Sequence, residues 1–310
     1  MTIIDSSRTA GPGHLPALRS PVRWNRSLLV LAVASALLAV VAGIGILVDP
    51  RVLTGVPIWL KPFKFAVSFA VYAWTLAWML AILPRRSRLA ERAGIVIMGV
   101  SVIELTIIVI QVVRGTTSHY NISTPFNAAL WSAMGSSIMV LFLAHVLIAV
   151  TALRQRIPDR AAAYAIRLGL LVALLGMGLA FLMTSQGGVD GMVGAHNVGV
   201  PDGGPGMPLT GWSTTGGDLR IGHFVGLHAL QALPLLAYAL RRWSSLTEIV
   251  RARLVFVGGS AYAVLVLLLT WQALRAQPLL QPDGLTMIAV LGLTAATAGA
   301  AIGVIRKGAK

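Results

Sequence analysis

The sequence predicts an all-α, polytopic membrane helix bundle of eight transmembrane helices with both termini cytoplasmic, and three observations predict it. The 310 residues are 56% hydrophobic and 11% charged, with a mean hydropathy of +0.81. A soluble domain carries roughly 25% charged residues to wet its surface. The apolar residues fall in blocks long enough for the roughly 20 helical residues that cross a bilayer. The basic residues fall in five clusters that share one side only if the number of spans is eight.

In chain order the spans are expected at 27–48, 58–83, 93–113, 128–153, 163–185, 221–240, 254–275 and 284–305. Arg8, Arg19, Arg23 and Arg26 precede the first, and Arg85, Arg86, Arg88 and Arg92 follow the second. Arg154, Arg156 and Arg160 follow the fourth, Arg241, Arg242, Arg251 and Arg253 the sixth, and Arg306, Lys307 and Lys310 end the chain. Basic residues mark the inner side of the cytoplasmic membrane, so the formal charge of +15 is a topology signal and no nucleic-acid partner is expected. One membrane domain thus occupies 27–305, between a polar arm at 1–26, expected to be a disordered cytoplasmic segment, and a basic tail at 306–310. No cleavable signal peptide is expected, because the run after the arm is long enough to span. The absence of cysteine excludes disulfides, thiolate metal sites and cysteine nucleophiles.

A long extracytoplasmic loop is expected at 186–220, rich in glycine and interrupted by Pro201, Pro205 and Pro208. Such a stretch buries little side chain, so irregular backbone is expected, as a lid over a pocket or as a loose connector.

Function is sought in residues that are costly in hydrocarbon, since an intramembrane charge usually faces the bundle interior or a cavity. The second span carries Lys61, Lys64, Ser68, Tyr72 and Thr75 on one azimuth at about 100° per residue. Its lysines lie on the outer side, against the charge bias; they either snorkel to headgroups or head a protein-facing stripe. The third span holds Glu104 near its centre, with Gln111 above it and Arg114 at its outer end. A lone midplane carboxylate takes up a proton or finds a cation, the alternative being a structural ion pair or a hydrogen-bonded neutral acid. Span six opens Gly217-Asp218-Leu219-Arg220 and continues through His223, His228 and Gln231, with Pro234 expected to kink it. The polar loop 114–125 adds His119 on the same side, and His145 of span four reads as a packed, hydrogen-bonded residue. Small residues at Gly169 and Gly176 of span five, Gly258 and Gly259 of span seven, and Gly292, Gly299 and Gly303 of span eight are expected to permit close helix packing.

Zincin, Walker and Gly-x-Ser-x-Gly patterns are absent, and Glu104 is the sole acid expected within a span, which excludes a carboxylate-bridged di-iron site. The strings Trp59-Leu60-Lys61-Pro62-Phe63-Lys64-Phe65, Arg114-Gly115-Thr116-Thr117-Ser118-His119-Tyr120-Asn121 and Gly217-Asp218-Leu219-Arg220 through His228 and Gln231 resemble those of bacterial multi-pass membrane proteins with no assigned activity. The resemblance covers most of the chain from span two to span six. It implies a membrane location and about eight helices, and brings no activity or cofactor with it.

The residues themselves point to an outward-facing intramembrane pocket that binds or translocates a small anionic ligand, coupled to a proton. Its expected lining is Lys61, Lys64, Glu104, Gln111, Arg114, His119, Asp218, Arg220, His223, His228 and Gln231. Cations at the mouth concentrate negative ligands, and Glu104 with His228 would exchange the proton. The alternative is a redox protein holding haem or a metal through His119, His223 or His228, with the basic residues at the propionates. A third reading is an enzyme acting on an outer-leaflet lipid, and a purely structural or partner-binding protein is a fourth.

Overall fold

The computed structural model describes residues 24–189 and 191–308; the expected N-terminal arm up to residue 23 and the last two residues of the tail lie outside the described residues. The long helices are α1 (Arg26–Val48), α2 (Leu60–Ile82), α3 (Arg88–Val113), α4 (Pro125–Leu153) and α5 (Arg160–Leu179), which a four-residue turn of helix, α6 (Phe181–Thr184), extends. The chain then passes through α7 (Arg220–Leu227), α8 (Ala229–Arg241), α9 (Glu248–Leu274) and α10 (Gly284–Gly308). Among the described residues seven helices are long and apolar enough to cross a membrane, with α5 and α6 counted together. The fold is an all-α bundle of a multi-pass membrane protein.

Side-chain caps fix where five of these helices start. Asn25, Ser87, Thr124, Asp159 and Thr247 each accept the amide three residues on, opening α1, α3, α4, α5 and α9. Pro125 adds a preset backbone angle to the first turn of α4.

The sixth expected span is not one rod. α7 and α8 meet at a 45° bend whose corner is His228, whereas Pro234, expected to make the kink, sits inside α8. The cause lies in what each half packs against. Gly226 of α7 meets Gly176 of α5 so closely that a Cβ on Gly226 would stand 2.6 Å from the Gly176 Cα. α8 turns away to carry Leu233, Ala237 and Leu240 into a separate core with Ala161, Ala165, Ala252 and Val255 of α5 and α9.

The main core joins α1 to α5, with Leu28, Leu76, Ile97, Ile148 and Leu170 fully enclosed, and Leu230 of α8 reaching into it. Gly169, Gly176, Gly258 and Gly259 pack against neighbouring helices as expected, but Gly292, Gly299 and Gly303 do not. A Cβ at any of those three would meet open space, because α10 packs beside α9 and buries little beyond Thr286.

The long loop is more ordered than its composition implies. After a hairpin of β1 (Val52–Leu53) and β2 (Val56–Pro57) between α1 and α2, the strands β3 (Asn197–Val198) and β4 (Gly217–Asp218) of the loop pair antiparallel, and isolated bridges join Asn121 to Met192 and Gly206 to Ser213. Ile122 and Val193 donate their amides to Gly191 and Tyr120 at 2.8 and 2.9 Å, which seats the loop on the α3–α4 connection. Gly203 abuts Thr54 in the hairpin between α1 and α2. The loop is a docked cap over one end of the bundle.

Candidate functional site

The polar stripe of α2 faces protein. Lys64 donates to the Thr210 carbonyl of the cap at 2.8 Å. Tyr72 shares a 2.9 Å hydrogen bond with Nδ1 of His145 and stacks on its ring. His145 is fully buried, in keeping with a packed histidine. Thr75 donates back to the Val71 carbonyl and accepts from Gln231 at 2.8 Å. Lys61, half-buried at the head of the stripe, has no hydrogen-bond or ion-pair partner among the described residues.

The other expected cations are held by the protein. Asp218, 0% exposed, receives Arg220 as a fork, Nε on Oδ1 at 2.9 Å and Nη2 on Oδ2 at 2.6 Å. The same carboxylate takes the amides of Ser213 and Arg220 at 2.8 and 3.0 Å. Arg220 also donates to the carbonyl of Gly211, whose φ of +63° suits glycine. Arg114 lies 4.4 Å over the Phe126 ring and donates to Gln111 Oε1. Buried Gln111 in turn donates to the Thr117 carbonyl and to Asn127 Oδ1. These groups tie the cap and the α3–α4 loop to the helices.

Glu104 lies beneath them, 0% exposed, and neither carboxylate oxygen has a hydrogen-bond partner among the described residues. Its one electrostatic neighbour of note is Lys61, which also feels Arg220, Lys64 and Asp202. His119 is wedged among Phe65, Trp131 and Tyr120 at ring distances of 5.2, 5.9 and 6.1 Å, with Ser118 Oγ 3.0 Å from its Nδ1. His223 donates Nδ1–H to the Gly176 carbonyl at 2.7 Å, which leaves Nε2 as its free lone pair. His119 lies within electrostatic reach of Lys61, His223 and a cap histidine, His196. His228, by contrast, is exposed at the α7–α8 corner and pairs with Gln231 Oε1 at 3.2 Å. Through Gln231 it connects to Thr75, apart from His119.

His196 and Asp202 were not singled out from the sequence. His196 bonds Asp202 through Nδ1 at 2.6 Å and packs edge-on to Tyr120 at 5.2 Å. Asp202 also accepts the amides of His196 and Asn197 at 3.0 and 2.9 Å. The only signal available was a histidine followed six residues later by an acid, in a segment whose glycines and prolines read as irregular.

Burial lowers the pKa of His196 and takes that of His119 well below the ordinary imidazole range, helped at His119 by Lys61. At Asp202 burial works upward, but the hydrogen bonds from His196 outweigh it and hold the carboxyl at about 2. In all three cases the unfolded segment binds protons before the folded one does, so stability falls as pH falls. For the histidines the loss begins below the unfolded value of 6.5, and for Asp202 below 3.8. Cap proteolysis is therefore expected to accelerate between pH 7.5 and pH 5, and a rate that does not change would contradict this account of the cap.

Among the described residues no group of three or more histidines, cysteines or acids is placed to hold a metal ion. Two clefts on the bundle are apolar, one between α1 and α3 and one between α9 and α10. Comparison of the chain with protein-family models, curated proteins and solved structures finds no match.

Proposed function

We propose that the chain is an eight-span protein of the cytoplasmic membrane, both termini inside, that binds or translocates a small anion beneath its extracytoplasmic cap, together with a proton. The observation that carries this reading is Lys61: the cluster's one expected cation without a partner among the described residues, in electrostatic reach of an unpaired buried carboxylate. A half-buried ammonium and a buried carboxylate are costly to leave unpaired, and an anion bound together with a proton relieves both. Lys61 receives the anion. Glu104 takes the proton, and His119 lies within electrostatic reach of the same lysine. Lys64 and Arg220 hold the cap, so their contribution is to close the site.

Thermal-shift titration of the purified protein with small carboxylates and inorganic phosphate tests the anion. At least one is expected to stabilise the wild type and to lose about tenfold or more in affinity in Lys61→Ala, as removal of a charged hydrogen-bond donor predicts. Undiminished binding in that variant would remove the anion reading. The cysteine-free chain also allows topology to be read by single replacements. In intact cells an impermeant thiol reagent is expected to label Thr215→Cys in the cap and to spare Arg156→Cys, both exposed positions. The reverse pattern would invert the topology.

One observation favours the haem reading: His223 and His228 each give Nδ1 to an oxygen acceptor, as metal-bound histidines do. A Soret band in the purified protein would replace the anion reading with that one.

A further inference from the structure

The unpartnered oxygens near the middle of α1 and α3 form a second pattern. Ser35, Ser101 and Glu104 are each 0% exposed, and both serine hydroxyls and both carboxylate oxygens lack hydrogen bonds among the described residues. Serine and threonine in a membrane helix have a ready acceptor in the carbonyl one turn back. Thr75, Thr151, Thr270, Thr294 and Thr297 all use it, at 2.7 to 2.9 Å. The two serines do not. A buried polar atom left unsatisfied in this way calls for an ion or a water.

Their placement is shared. Ser101 and Glu104 are three residues apart on the buried face of α3. Helical side chains lean toward their own N-terminus, so position 104 directs a carboxylate back toward the turn that carries Ser101. α1 and α3 are joined at their starts by Asn25, which donates to the Glu91 carbonyl and carboxylate at 3.2 and 2.8 Å. Farther along, Ser35 lines one cleft with Val102 and Leu105. Val102 and Leu105 follow Ser101 and Glu104 in the chain, so Ser35 shares its cleft with the next residues of that turn.

We propose that Ser35, Ser101 and Glu104 form a binding site for a monovalent alkali cation, sodium above all. The donor set is entirely hard oxygen, with no nitrogen or sulfur, and that chemistry selects alkali and alkaline-earth ions. A single carboxylate balances one positive charge, whereas a divalent ion would leave a net charge in a dry interior. The cation competes with a proton for Glu104. Of the helices packed on α3, α1 has no ionisable residue between Arg26 and the end of the helix, and α4 has only His145, which Tyr72 holds. α2 has Tyr72, Lys64 on Thr210, and Lys61, the charge that faces Glu104. The inference goes beyond the anion reading and stands without it, since it needs Glu104 and not Lys61.

Binding of radiolabelled sodium to the purified full chain in detergent, with choline chloride holding ionic strength, is the test. Saturable binding of one ion per chain is expected, weakening about tenfold per pH unit where one proton displaces one ion. Glu104→Gln should abolish it, and Ser35→Ala and Ser101→Ala should each weaken it about tenfold. Lys61→Ala should leave the ion bound while losing the anion, which separates the two proposals. Should Glu104→Gln fail to fold, the serine variants carry the test. No saturable binding at alkaline pH, or wild-type affinity in the Ser35→Ala, Ser101→Ala double variant, would overturn the proposal.

Discussion

Replacing Asp218 by alanine is expected to destabilise the protein by about 3–5 kcal/mol, the cost of breaking a buried pair and leaving one charge without its partner. The carboxylate is 0% exposed and holds the Arg220 guanidinium as a fork together with two backbone amides. Its loss unfastens β4, the turn at Ser213 and the Arg220 contact to Gly211 in one step. Thermal unfolding in detergent reads the global effect. Limited proteolysis within the cap reads the local one, and is expected to precede cleavage elsewhere. Asp218→Asn keeps an acceptor for the amides and should fall between the two. A change within about 0.5 kcal/mol, ordinary for a surface site, would show that the cap is not fastened there.

Glu104→Leu is expected to act with the opposite sign on stability. The glutamate leaves two buried oxygens unsatisfied, and an unmade buried hydrogen bond costs about 1–3 kcal/mol. Leucine fills similar volume with no polar atom, in a stretch already lined by Leu105, Ile107 and Ile108. The variant should therefore unfold at higher temperature by that order, while losing any proton or cation exchange. Stability bought at the expense of activity marks a group retained for function. If Glu104→Leu is instead strongly destabilising, the carboxyl has a structural partner and the site lies elsewhere.

How much of this was legible in the sequence follows from what each feature depends on. Span positions depend on length and hydropathy along the chain, and α1, α2 and α4 begin and end within about three residues of expectation. The bend at His228 depends on two glycines from different helices meeting, Gly176 and Gly226, which no local pattern records. Likewise Gly292, Gly299 and Gly303 carry a packing pattern, but only the neighbours of α10 decide whether anything fills it. The chemistry-bearing side chains could be picked out by their cost in lipid; their pairing could not. Arg220 and Lys64 looked like ligand groups and are cap fasteners, because Asp218 and the Thr210 carbonyl reach them first. His196 was hidden by a glycine-rich setting that predicts irregular backbone, although its pairing with Asp202 helps to shape the cap.

The most direct measurement is the proton count on anion binding. Calorimetric titration of the purified protein with the best-binding anion, in two buffers of different ionisation enthalpy, gives the number of protons taken up per ligand. Net uptake by the wild type, abolished in Glu104→Gln while Lys61 still binds the anion, is the result predicted here. The same uptake in Glu104→Gln would contradict the pairing of Lys61 with Glu104 as one working site.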